Sequence, residues 1–148
     1  MLVNRRTLRI EWGQCDPAGV VFYPQYLVIF DNSTAALFER TGLSLSALRQ
    51  KYGIAGLPVV EVGARFLLPC RFEDEIVVES GVSEWGRSSF TVRHRLVKAE
   101  GLAVEGFEKR VWAAPHPDRP GAMQSRPVPA EIIARLSDPQ GTGTKSSD

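Results

Sequence analysis

The sequence predicts an α+β domain in which a curved antiparallel sheet wraps one long helix. Three observations point there. Between residues 24 and 41, apolar side chains recur at helical spacing: Tyr26, Leu27, Phe30, Leu37 and Phe38. Between residues 58 and 114, four segments show the period of two expected of strands. Strands follow one another instead of alternating with helices, a pattern that favours an antiparallel sheet over a parallel one.

In chain order, Thr7–Glu11 is β-prone and reads as a first strand. A turn-rich stretch follows, and then the long helix, Pro24–Thr41. Pro24 suits the first helical turn, where its missing N–H costs nothing, and Gly42 stands where a helix stops. Val28, Ile29, Ala35 and Ala36 fill much of the remaining helix surface, so the helix is expected to be buried nearly all round. Ser44 is placed to cap a short helix, Leu45–Tyr52, closed by Gly53.

The strand group starts with Pro58–Leu68, with Val60, Val62, Ala64, Phe66 and Leu68 on one face and Glu61, Gly63 and Arg65 on the other; Pro69 ends it. Ile76–Ser83 is next, and Glu84–Ser88 reads as a turn. Ser89–Lys98 places Phe90, Val92, His94 and Leu96 on one face. Glu100-Gly101 is a hairpin connection, and Leu102–Ala114 is the fourth strand. The prolines of residues 115–121 argue against regular pairing there. Pro129–Leu136 is a short helix. The reading is one domain over residues 1–138 and a small, polar, disordered tail over 139–148.

Composition narrows the function classes. The 148 residues are 43% hydrophobic, enough for one core, which burial against a second copy would help. The net charge of +1, from 18 basic and 17 acidic residues, gives no bulk-charge argument for a nucleic acid or membrane partner. No apolar run is long enough to span a membrane, and the N-terminus lacks the apolar core of a secretion signal. Two cysteines, Cys15 and Cys70, make neither a metal cluster nor a disulfide framework, so a reducing, cytoplasmic setting is expected.

The segment "EWGQCDPAGVVFYP" carries chemistry of interest. By residue type alone, Asp16-Pro17-Ala18-Gly19 is an ordinary turn. Its surroundings change that reading. Asp16 through Pro24, followed by "QYLVIFDNS", resembles the active-site segment of the 4-hydroxybenzoyl-CoA thioesterase family, which has the hot-dog fold. Glu84-Trp85-Gly86-Arg87-Ser88-Ser89-Phe90 resembles the turn that this family places near bound coenzyme A, though it is less basic than in some members. The element order agrees over residues 5–137.

The resemblance implies an acyl-CoA substrate, no metal or other cofactor, and a dimer or dimer of dimers, here a homotetramer, with active sites at subunit interfaces. It assigns Asp16 as the catalytic carboxylate and the Tyr23 backbone N–H as the group that holds the thioester carbonyl. It places Gly19, Val20, Phe22, Pro24 and Tyr26 at the substrate, and Trp85, Arg87 and Ser88 near coenzyme A.

The chemistry supports those roles. A thioester is already electrophilic, so hydrolysis needs a placed nucleophile and relief of charge on the carbonyl oxygen. A carboxylate can attack directly or deprotonate a water. A helix beginning at Pro24 leaves N–H groups at its mouth without intrahelical partners, aimed at whatever lies before it. Gly19 lets the chain fold back, so that one connection presents both groups.

Other residues carry plainer readings. Asp31 is a structural or pocket-lining carboxylate in the long helix, and Glu61 is a second carboxylate on a strand. His94 is a core histidine, and His116 lies in an exposed loop. Arg93, Arg95, Lys109 and Arg110 form either a basic rim or ordinary exposed sheet positions. The leading reading is an acyl-CoA thioesterase, with aryl-CoA favoured by Phe22, Tyr26, Phe30 and Trp85. The alternative is a non-catalytic acyl-CoA or acyl-carrier binding module of the same fold. A dehydratase ranks last, because such chemistry wants a histidine–carboxylate pair near the Asp16 turn.

Overall fold

A computed structural model describes residues 1–139. Its main sheet contains β1 (Asn4–Arg9), β2 (Val59–Phe66), β3 (Glu75–Trp85), β4 (Ser89–Lys98) and β5 (Gly101–Val111). The order across the sheet is β1-β3-β4-β5-β2, with every neighbouring pair antiparallel. The expected tail falls almost wholly on residues 140–148, outside the described region.

Helix α1 (Pro24–Arg40) lies on one face of this sheet. It starts with proline in its first turn, and Thr41 closes it by donating its hydroxyl to the Phe38 carbonyl at 2.6 Å. Ile29 and Phe30 pack on Ile76, Val78, Leu96 and Val104 of three strands. Gly106 of β5 makes that close approach possible: a Cβ there would sit 2.5 Å from the Phe30 ring. Burying a ring of that size contributes about 2–3 kcal/mol.

Helix α2 (Leu45–Tyr52) starts where Ser44 Oγ accepts the Ala47 N–H at 3.1 Å and ends at Gly53 in the left-handed region, φ 64°. Helix α3 (Ala130–Ser137) completes a second cluster in which Leu48, Ile132 and Leu136 meet Leu37, Phe38, Phe90 and Val92.

Several boundaries differ from the sequence reading. β1 begins three residues early and ends at Arg9, because its ladder to β3 runs from Asn4–Ser80 to Arg9–Glu75, and backbone pairing needs no β-prone side chains. Trp85 belongs to β3 instead of the turn, and β5 stops at Val111. Residues beyond it form β6 (Ala113–Pro115), which pairs with β7 (Met123–Ser125). The proline argument fails there: Pro115 is the last rung, where a missing N–H is tolerated, and His116 N donates to Ala122 O instead.

Two expectations about burial also change. α1 is not enclosed all round, since Val28 is 50% exposed and Asp31 and Asn32 are exposed beside it. β2 does not hide its alternating apolar face either: Val60 is 60% exposed and Val62 42%. β2 pairs only with β5, so its other edge is open, and a bulge between Val59 and Glu61 disturbs the alternation.

Candidate active site

The connection between β1 and α1 is a tight hairpin. After a 3-10 turn at Trp12–Gln14, Cys15 bridges Val21, Asp16 N donates to Val20 O, and Phe22 N donates to Gln14 O at 2.8 Å. Asp16 and Val20 are closed by Gly19, whose φ of 78° is a left-handed value that suits glycine. Asp16 is half-buried. Pro17 offers no N–H, yet Ala18 N donates to Asp16 Oδ1 at 2.9 Å, so one carboxylate oxygen is anchored one residue further on. Among the described residues the other oxygen has no hydrogen-bonded protein partner.

Tyr23 is the residue at the mouth of α1 and is 63% exposed. Its carbonyl accepts from Tyr26 N, whereas its own N–H reaches no acceptor among the described residues. That is an unsatisfied donor at the positive end of a 17-residue helix. A hollow of about 290 Å³ adjoins it, lined by Val20, Val21, Tyr23 and Tyr26 on this side. Its other wall is Phe66, Leu67, Leu68 and Pro69, which the sequence reading did not place at the site. Asp16 lies on the hairpin outside that lining. Phe22, half exposed, stacks edge-on with the Tyr23 ring, and Pro24 opens the helix behind them.

A second support was also missed. The hairpin leans on residues 69–74: Val21 N donates to Cys70 O, and Val20 bridges Arg71. Lys98, on β4, reaches that segment from behind, donating to Pro69 O at 3.0 Å and to Asp74 Oδ2 at 2.7 Å. These links join positions far apart in sequence, and no local pattern marks them. Burial pushes the Tyr26 hydroxyl and the Cys70 thiol up, so neither is an ionised competitor to Asp16 at neutral pH.

The histidine pair that a dehydratase would want exists in a different place. His94 Nε2 lies 3.3 Å from Glu108 Oε2, with Ser80 Oγ 2.7 Å from Nδ1 and Phe30 stacked on the ring. Both residues are buried between α1 and the sheet, so His94 is a core histidine. Arg110 corrects the exposed-rim reading: it is 6% exposed and bonds Glu108, the Leu57 carbonyl and, at 2.5 Å, Asp31 of α1. Asp31 is therefore a partly exposed structural partner of a buried arginine. Arg93, Arg95 and Lys109 are exposed.

The structure separates the two sequence motifs within one chain. Asp16 sits at the end of the sheet where β3 begins, beside Cys70–Asp74. Trp85, Arg87 and Ser88 sit at the other end of β3. Eleven residues at roughly 3.3 Å each put about 30 Å between them. Trp85 packs on Phe90, and Arg87 is exposed on the turn. No group of three or more potential metal ligands gathers among the described residues, and no helix there is long and apolar enough to cross a membrane.

An antiparallel sheet around one helix, with a carboxylate hairpin leading into the helix mouth, is the architecture of the hot-dog thioesterases. The chain belongs to the thioesterase-like superfamily, whose family model matches residues 10–136. It is 34% identical over 137 residues to 4-hydroxybenzoyl-CoA thioesterase of Pseudomonas sp. (strain CBS-3), covering 87% of this chain and 94% of that protein. Among solved structures it resembles an aspartate-to-asparagine mutant of 4-hydroxybenzoyl CoA thioesterase complexed with 4-hydroxybenzoyl CoA. The TM-score is 0.84 and the identity 31%, over 93% of this chain and 100% of the other. A gentisyl-coenzyme A thioesterase structure follows at TM-score 0.77 and 29% identity, covering 88% and 99% of the two chains.

Proposed function

We propose that this chain is an acyl-CoA thioesterase that hydrolyses a hydroxylated aroyl-CoA, of which 4-hydroxybenzoyl-CoA is the first to test, to the free acid and coenzyme A. The observation that carries this reading is the free Tyr23 N–H at the helix mouth, reached by the same hairpin that holds Asp16. The names of the relatives support an aryl acyl group, and the aromatic lining of Tyr23, Tyr26 and Phe66 offers a surface for one.

In this mechanism the thioester carbonyl oxygen accepts a hydrogen bond from Tyr23 N–H, which strengthens as the oxygen gains charge. The unanchored oxygen of Asp16 either attacks the carbonyl carbon, giving an anhydride that water then cleaves, or removes a proton from an attacking water. Either way coenzyme A leaves as its thiolate, and no metal or cofactor takes part. Gly19, Val20, Phe22 and Pro24 shape the approach.

The working unit in this reading is a homodimer joined through the open edge of β2. Antiparallel pairing of two such edges reverses strand direction, so the partner's Trp85-Gly86-Arg87-Ser88 turn comes toward the Asp16 end. That is how motifs about 30 Å apart in one chain can serve one substrate, with Arg87 toward the coenzyme A phosphates.

Asp16→Asn tests the assignment. Thiol release from 4-hydroxybenzoyl-CoA should fall by about a hundredfold or more in kcat with the fold intact, while the substrate still binds. Parent-like turnover would remove Asp16 from the mechanism. Single turnover in ¹⁸O water bears on the two roles, since label in the Asp16 carboxylate requires direct attack followed by opening of the anhydride at the Asp16 carbonyl.

A further inference from the structure

Lys98 touches both ends of residues 69–74, the segment on which the Asp16 hairpin rests, and the mechanism above gives it no role. It stands at the end of β4 with its side chain only 10% exposed. Its ammonium donates to Pro69 O at 3.0 Å and to Asp74 Oδ2 at 2.7 Å, with Glu100 at 3.9 Å. A lysine ammonium has several donors and so can bridge two acceptors at once. The hydrogen bond to Asp74 holds the Lys98 pKa above its ordinary value, so the group stays charged at neutral pH.

What lies between those two acceptors matters to the site. Pro69 walls the hollow beside Tyr23. Cys70 O accepts Val21 N at 2.8 Å, Val20 bridges Arg71, and Val20 O in turn accepts Asp16 N at 2.9 Å. Residues 71–74 form a tight turn in which Asp74 N donates to Arg71 O at 3.1 Å and Arg71 N donates to Asp74 Oδ2 at 2.8 Å. Glu73 in that turn has a φ of 70°, a left-handed value that a residue with a side chain keeps only where its surroundings hold it. The turn thus has its own clasp in Asp74 and Arg71. Lys98 adds something different: a tie from the turn back to Pro69, across the two residues that carry the hairpin. That tie fixes the spacing between the wall of the hollow and the support of Asp16.

We infer that Lys98 is a positioning residue for the hydrolysis: by clamping Pro69 to Asp74 it sets where the Asp16 carboxylate stands relative to the hollow that receives the acyl group. The inference rests on the thioesterase reading proposed above. Asp16 lies on the hairpin outside the lining of the hollow, so its reach to a bound thioester depends on how the hairpin is hung. A displacement of about 1 Å in a reacting group costs about a hundredfold in rate. Binding is spread over the hollow and the coenzyme A contacts and is less sensitive to such a shift. The loss of Lys98 should therefore appear in kcat and spare KM.

Thiol release from 4-hydroxybenzoyl-CoA by the full chain, well below its unfolding temperature, tests this. Lys98→Met keeps an unbranched side chain and removes the charge and the donors. Its kcat should fall by about tenfold to a hundredfold with KM within about threefold of the parent, and Lys98→Arg, which restores both, should recover most of the rate. In an Asp16→Asn background, Lys98→Met should cost less than about threefold, because the group it positions is already gone. A parent-like kcat in Lys98→Met overturns the inference, whatever happens to its melting temperature. So does a full multiplicative loss on top of Asp16→Asn, which would mark a general effect on the fold. If Lys98→Met does not fold, Asp74→Ala, which releases Lys98 from the turn, takes its place with the same split between kcat and KM expected, and parent-like turnover there overturns the inference. A parent that releases no thiol from any acyl-CoA defeats the thioesterase reading and this inference with it. A parent that turns over, and fails in Asp16→Asn but not in Lys98→Met, defeats this inference alone.

Discussion

Glu108 is a carboxylate only 2% exposed that keeps its charge because donors converge on it. Burial pushes its pKa up, but hydrogen bonds with His94, Arg110 and Thr34 outweigh burial and hold it near 2, against an ordinary 4.5. A group whose folded pKa is depressed stabilises the fold above its unfolded value, and that contribution is lost as pH falls through the folded one. Urea midpoints should therefore be flat above about pH 5 and fall steadily toward pH 2. Glu108→Gln should flatten that acid limb while costing about 3 kcal/mol or more at neutral pH, since it leaves Arg110 buried without its main counter-charge. An acid limb unchanged in the variant would show that other carboxylates govern it. At this scale Asp16 was legible because a turn, an apolar run and a helix start surround it in sequence. Glu108 and Arg110 were not, because "FEKR" reads as exposed strand until register assigns Glu108 and Arg110 to the helix-facing side.

The elements whose limits are set by local chemistry were read closely. α2 falls on Leu45–Tyr52 as expected, because a serine cap and a left-handed glycine mark its two ends. β4 runs over the expected Ser89–Lys98, with Phe90, Val92, His94 and Leu96 buried as expected and Thr91 buried as well. Elements limited by a partner were not. β1 extends as far as β3 offers rungs, and β2 is an edge whose apolar residues look inward only on paper. The contact of α1 with β5 gives an element-scale prediction. Gly106→Ala would put a methyl group 2.5 Å from the Phe30 ring and 2.6 Å from the Gly63 carbonyl. Thermal or urea unfolding should show a loss of about 1–3 kcal/mol. A neutral result would mean that α1 slides on the sheet without cost. The tie from Arg110 to Asp31 and the Leu57 carbonyl opposes such sliding.

Across the whole molecule, the exposed Val59, Val60, Val62 and Phe66 on an unpaired strand edge call for cover, since such edges pair with other chains unless blocked. Val60→Lys places a charge there while leaving the core untouched. The expected outcome is loss of the proposed β2-edge dimer and, with it, of thiol release, with the circular dichroism spectrum retained. Full activity in a variant without that dimer would mean that one chain completes its own cleft. The separation of Asp16 from the Trp85 turn along β3 makes that outcome hard to reconcile with a shared substrate.

By itself the sequence determined the α+β class, the long helix with its proline start, the turn that carries Asp16, and the two caps of the short helix α2. Each of these follows from residues within a few positions of one another, where propensity, missing N–H groups and positive φ act directly. Tertiary structure alone decided that β2 is an edge strand, that Phe66–Pro69 walls the hollow beside Tyr23, that Lys98 props the hairpin, and that Arg110 is buried. Those outcomes depend on register between segments tens of residues apart. A shift of one residue would send every side chain of a strand to the opposite face, and no local pattern encodes which register wins.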